Sequence, residues 1–194
     1  MQKKYMGLPG SFLCFALCST STALASELTL PTLDNAPIED RFHIGKRSFS
    51  EVSESWRAES VAPFLDAFGR FESLSSCGVH QGDTFALAWE EFSTAEEIRV
   101  CLFLLAEFFR TPDQMRKWFD EQGFHTHLSS ETVGFEDKIP LVLHASIRLH
   151  DERGPNLIGE VFRYARANHI GFSLGIFYDE TIRPKSAEAA LNWN

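Results

Sequence analysis

Two short stretches of this chain place chemically able side chains at every second position. His125, His127 and Ser129 occupy one; His144, Ser146, Arg148 and His150 occupy the other. Alternate residues of a β-strand share a face, so each set projects to one side of its strand. If the two strands pair antiparallel with His127 opposite His144, the Cβ atoms of that pair lie ~5 Å apart. His127, His144 and one of His125 or His150 then form a three-imidazole set, a donor type suited to Zn, Cu and Ni. Metal binding would need these rings neutral. The competing reading is a set of surface histidines on a half-solvated sheet, because alternation is what any half-exposed strand shows. No HExxH or CxxC pattern supports a metal, so the expectation is no metal and no cofactor. His125, His127, His144, Arg148 and His150 are read instead as a binding face.

The same residues also spell two His-x-Ser motifs, His127-Leu128-Ser129 and His144-Ala145-Ser146. These resemble the paired His-x-Ser/Thr motifs of the 2H phosphoesterase family. That resemblance implies His127 and His144 as general acid and base at a phosphodiester, with Ser129 and Ser146 holding the phosphate. Arg148 would add charge stabilisation. In that family the motifs come from two lobes far apart in sequence, whereas only a short hairpin separates them here. No phosphate loop or dinucleotide fingerprint occurs, and Cys101 sits in an apolar stretch that disfavours a thiolate. A non-catalytic binding protein is therefore the leading expectation, with the phosphoesterase and a histidine-based metal protein as alternatives.

The elements that would carry these residues follow from periodicity. Phe49, Val52 and Trp56, then Phe64, Leu65, Phe68, Phe71 and Leu74, recur at helical spacing. They give one kinked helix or two short ones, with Pro63 suited to a first turn. Thr84 to Glu90 alternates as a half-buried strand. Thr94 and Glu97 form a capping box for a helix reaching Arg110, apolar on nearly every side and so covered on every side. Thr111-Pro112 opens a further helix and Gly123 closes it. Strands follow at Phe124–Ser129 and Pro140–His150, then a helix from Pro155 to Asn168 or His169, and a strand at Ile170–Tyr178. Trp56, Trp89 and Trp118 fall on apolar faces and are expected in the core. Trp193 is near the chain's end.

Strand, helix pair, strand, strand, helix, strand describes an α+β, ferredoxin-like βαββαβ sandwich with additional N-terminal helices. Its sheet would be four-stranded and antiparallel, with helices on one face. The rhythm of strand, helix and the Gly123-Phe124 turn loosely resembles the sporulation-related peptidoglycan-binding repeat, although the first helical segment here is much longer. That resemblance implies a cell-wall component as a partner.

The N-terminus reads as an address. Lys3 and Lys4 precede an apolar run from Leu8 to Leu17, and Ala23-Leu24-Ala25 offers a signal-peptidase site before Ser26. The run is shorter than the ~20 residues of a spanning helix, so no stable membrane span is expected after cleavage. Residues 1–25 are thus a signal peptide, 26–46 an extended leader, 47–180 a single domain and 181–194 a polar tail with one weak helical turn at Ala187–Ala190. The destination is the periplasm or the exterior. There, Cys77 and Cys101 would form a disulfide; the alternative is two separate thiols. Loss of Lys3 and Lys4 takes the net charge from −9 to −11. Such a chain repels phosphate backbones, so nucleic acid is excluded as a partner and a periplasmic protein or cell-wall component is favoured.

Overall fold

The computed structural model describes residues 36–81, 84–133, 137–148 and 171–192, all within the unit Leu33–Asn194. The expected signal peptide, the first part of the leader, His150, the helix after Pro155 and Trp193 lie outside the described residues. Two short elements open the described chain. Helix α1 (Ile38–Arg41) follows Pro37, and a small hairpin, β1 (His43–Ile44) and β2 (Arg47–Ser48), turns at Gly45. The leader was expected to be extended as far as residue 46. Instead Phe42 is fully buried, its ring 5.3 Å from Phe103 and 5.7 Å from Phe68. Phe42, with the buried Ile38 and the partly buried Ile44, ties this stretch to the core despite its lack of periodicity.

Two helices follow, as one of the two expected alternatives. Ser48 and Glu51 form a capping box for α2 (Phe49–Ser53). Helix α3 (Ala58–Arg70) buries Val61, Phe64, Ala67 and Phe68, with Pro63 inside it rather than in its first turn. Trp56 is not core: it lies between the two helices, 36 % exposed, edge-on to Phe49. The helical stripe that placed Trp56 inside breaks at the end of α2.

The segment after Cys77 forms β3 (Gly78–Gln81), which pairs antiparallel with β4 (Thr84–Leu87). A Cβ at Gly78 would lie 2.0 Å from the Ala86 carbonyl oxygen, so only glycine permits this approach. Helix α4 (Ala95–Phe109) starts at the predicted Thr94–Glu97 box and buries Ile98 and every residue from Val100 to Ala106. Glu97 also accepts from Arg70 Nη1 at 2.8 Å, so this nearly buried carboxylate is paired. The Cys77–Cys101 disulfide ties α4 to the segment before β3 across a Cα separation of 5.6 Å. Helix α5 (Pro112–Glu121) has Thr111 as N-cap and Pro112 in its first turn, and Gly123 follows it at positive φ.

The large sheet contains β5 (His125–Val133), β6 (Asp137–Arg148), β7 (Gly171–Tyr178) and β8 (Pro184–Asn192). Neighbours pair antiparallel in chain order, β5-β6-β7-β8. The chain is α+β with a four-stranded antiparallel sheet, but that order is not the ferredoxin-like one. Thr84–Leu87 stays in its own hairpin, and the fourth strand is the expected tail. Ala187 to Ala190 suggested a helical turn because alanine favours helix. The ladder with β7 overrides that weak preference. Ala187, with no exposed surface, and the partly buried Ala189 lie on the sheet's inner face. Small side chains there let α4 pack closely over β8. No helix of the described residues is long and apolar enough to cross a membrane.

Candidate functional site

The polar face of the large sheet is built by the alternation that the sequence displays. Leu143, Ala145 and Ile147 of β6 and Phe172, Leu174 and Ile176 of β7 turn inward and are buried. The residues between them turn outward. The register places His127 opposite His144, His125 opposite Ser146, and Ser129 opposite Val142. On the other side of β6, His144 faces Gly175 and Ser146 faces Ser173. Glu188 and Ala190 of β8 extend those rows past Gly175 and Ser173.

The expected pairing of His127 with His144 is therefore present. Their rings stack, with centroids 4.6 Å apart and planes 12° from parallel. His144 Nε2 and Ser129 Oγ are hydrogen-bonded at 3.0 Å, joining residues of the two His-x-Ser motifs. His125, His127 and Ser146 are exposed, while His144, Ser129 and Ser173 are half-buried. The Phe177 ring lies over Gly175; a Cβ there would be 3.3 Å from Phe177 Cε2. Val142 on this face is completely buried. Arg148 pairs through its backbone with Gly171 at the end of the ladder.

This geometry bears on each chemistry in turn. The lone pairs of an imidazole lie in its ring plane. Two nearly parallel stacked rings keep their nitrogen lone pairs in two separate, near-parallel planes, which does not aim both at one cation. Among the described residues no group of three or more His, Cys, Asp or Glu could hold a metal ion. The stacked rings also touch one another, and general acid and base catalysts must instead flank a reacting group within hydrogen-bond reach.

The expectation that the chain carries no G-x-S-x-G motif is incorrect. Gly171-Phe172-Ser173-Leu174-Gly175 has the spacing of a G-x-S-x-G nucleophile motif. That motif acts only at a sharp strand-to-helix turn. Here it runs along β7, paired on both sides, and Phe172 and Leu174 point into the core. Ser173 is thus a member of the outward row and not an elbow nucleophile. The chain matches no family model, no curated protein and no solved structure.

Proposed function

We propose that the protein is a small exported interaction module without catalytic activity, and that the outward face of its large sheet meets the partner. The stacked His127–His144 pair carries this reading, because its near-parallel rings are not disposed around one common reacting atom or metal. An antiparallel face bearing imidazoles, hydroxyls and small residues suits recognition of an extended surface. The Cys77–Cys101 bridge supports an oxidising destination, the periplasm or the exterior. The acidic composition, a net charge of −9 over the whole chain, supports a partner other than nucleic acid. The partner class is a periplasmic protein or a cell-wall component.

The bond between His144 and Ser129 favours a second reading, the phosphoesterase, in which His127, Ser129, His144 and Ser146 act together. One pair of experiments separates the two. Wild type and His144→Ala are used as baits on a periplasmic and cell-wall fraction, and both are assayed against bis(p-nitrophenyl) phosphate. A partner retained by wild type and lost with His144→Ala, without phosphodiester turnover, is the expected result. Turnover abolished by His127→Ala and by His144→Ala, with no partner, would replace this reading with the phosphoesterase.

A further inference from the structure

A recess separate from the histidine face opens between the end of α4 and one side of α5. It is a recess of about 480 Å³, open to solvent on one side, within the size range of small-ligand sites. Gln114, Lys117, Trp118 and Glu121 line it from α5, at the i, i+3, i+4 and i+7 positions of one helical stripe. Phe108 and Phe109 of α4, with Thr84 of β4, complete the lining. The two phenylalanines are only half-buried, although α4 buries every residue from Val100 to Ala106. Their rings lie 5.2 Å apart, edge to face. Trp118 is held in place from behind, its Nε1 donating to the Phe85 carbonyl at 2.6 Å.

The recess thus joins two half-buried phenylalanine rings to a carboxylate, over a floor formed by the edge of the 2 % exposed Trp118. Aromatic faces carry negative potential and attract cations. Glu121 is paired with Lys117 at 3.8 Å, but the two side chains are 52 % and 80 % exposed. A pair so solvated is weakly held, and a ligand's ammonium can take the place of Lys117. The chain's net charge of −9 draws cations toward the surface.

We infer that this recess binds a small organic cation, an ammonium group carried on an apolar or aromatic body. The body lies against Phe108 and Phe109, near the edge of Trp118, and the charge lies beside Glu121. This site is independent of the proposed interaction face.

Titration of the full-length protein with benzyltrimethylammonium, followed by NMR of the Trp118 indole N–H, tests the site. Benzyl alcohol and benzoate serve as the neutral and anionic comparisons. The expected result is saturable binding of the ammonium, about tenfold tighter than either comparison. Glu121→Gln should weaken it about fivefold, and Lys117→Gln should tighten it by removing a competing charge. Both substitutions are at exposed positions, and unchanged amide spectra confirm that the variants fold. Three results would overturn the inference: no saturable shift, an affinity indifferent to Glu121→Gln, or equal or tighter binding of benzyl alcohol or of benzoate.

Discussion

Arg99 of α4 donates through Nε to the carbonyl of Ala187 on β8 at 3.0 Å. That bond reaches the edge strand of the large sheet from the helix that covers it, and the Arg99 guanidinium also lies 4.9 Å from the Phe64 ring centre. Burial pulls the Arg99 guanidinium below its usual value, against Glu188 and Glu96. Arg99→Met keeps the apolar stem and deletes the donor, so it should destabilise by about 1.5–3 kcal/mol. Denaturant unfolding measures the loss. Hydrogen exchange should show the β8 amides opening before those of β6; uniform protection would show that Arg99 does not hold this edge.

The disulfide joins residues 24 apart in sequence. Closing a loop of that length stabilises by about 3–4 kcal/mol in the chain-entropy model. Cys77 and Cys101 both have no exposed surface. Native protein should therefore resist reductant, and reduction should need unfolding. Intact mass after alkylation in denaturant, with and without reductant, tests the bridge. Two alkylatable thiols in the non-reduced protein would refute it.

Asp179 organises the turn between β7 and β8. Its Oδ1 accepts from Thr181 N at 2.8 Å, Thr181 Oγ1 at 2.7 Å and Arg183 N at 3.0 Å. Burial alone would raise its carboxyl. The hydrogen bonds from Arg183 and Thr181, with Lys185 nearby, outweigh that and hold it below the usual carboxylate value. A carboxyl lowered in the folded state stabilises above its unfolded value of ~3.9, and that contribution is lost as pH falls through the folded value. Stability should therefore drop as pH falls below ~4, and Asp179→Asn should flatten this part of the pH profile. An unchanged profile in the variant would assign the acid sensitivity to other groups.

Tyr178 is 1 % exposed, and its hydroxyl has no hydrogen-bond partner among the described residues. Burial pushes its phenol far above the ordinary value. A buried hydroxyl without a partner is costly, so Tyr178→Phe should raise stability by about 1 kcal/mol while keeping the ring's packing. A loss of stability measured by thermal unfolding would contradict this.

Much of the helical layer was legible because caps are local. Thr94 with Glu97, Thr111 with Pro112, and Gly123 each mark an end through one or two residues, and α4 and α5 begin and stop there. The face holding His125, His127, His144 and Ser146 was legible because alternation alone assigns sides. The pairing of strands was not. Nothing local in Thr84–Leu87 says that its partner is Gly78–Gln81 and not a strand of the large sheet. Likewise Ala187–Ala190 has helical propensity, and only the ladder with β7 makes it a strand. Trp56 left its expected place for the same reason, and Phe42 entered the core from an unpatterned stretch: burial is decided by distant neighbours. Phe42 meets Phe64, Phe68 and Phe103, while Trp56 meets Phe49 at the surface.

The central claim is that the His127–His144 face meets a partner. Site-specific photo-crosslinking in cells that make the full-length protein provides the test, with the photoreactive residue placed at Ser146 on the face or at Glu59 on α3. Both positions are exposed. A discrete adduct from Ser146, absent from Glu59 and lost when His144→Ala is added, is the result this account predicts. No adduct from Ser146, or the same adducts from both positions, would contradict it.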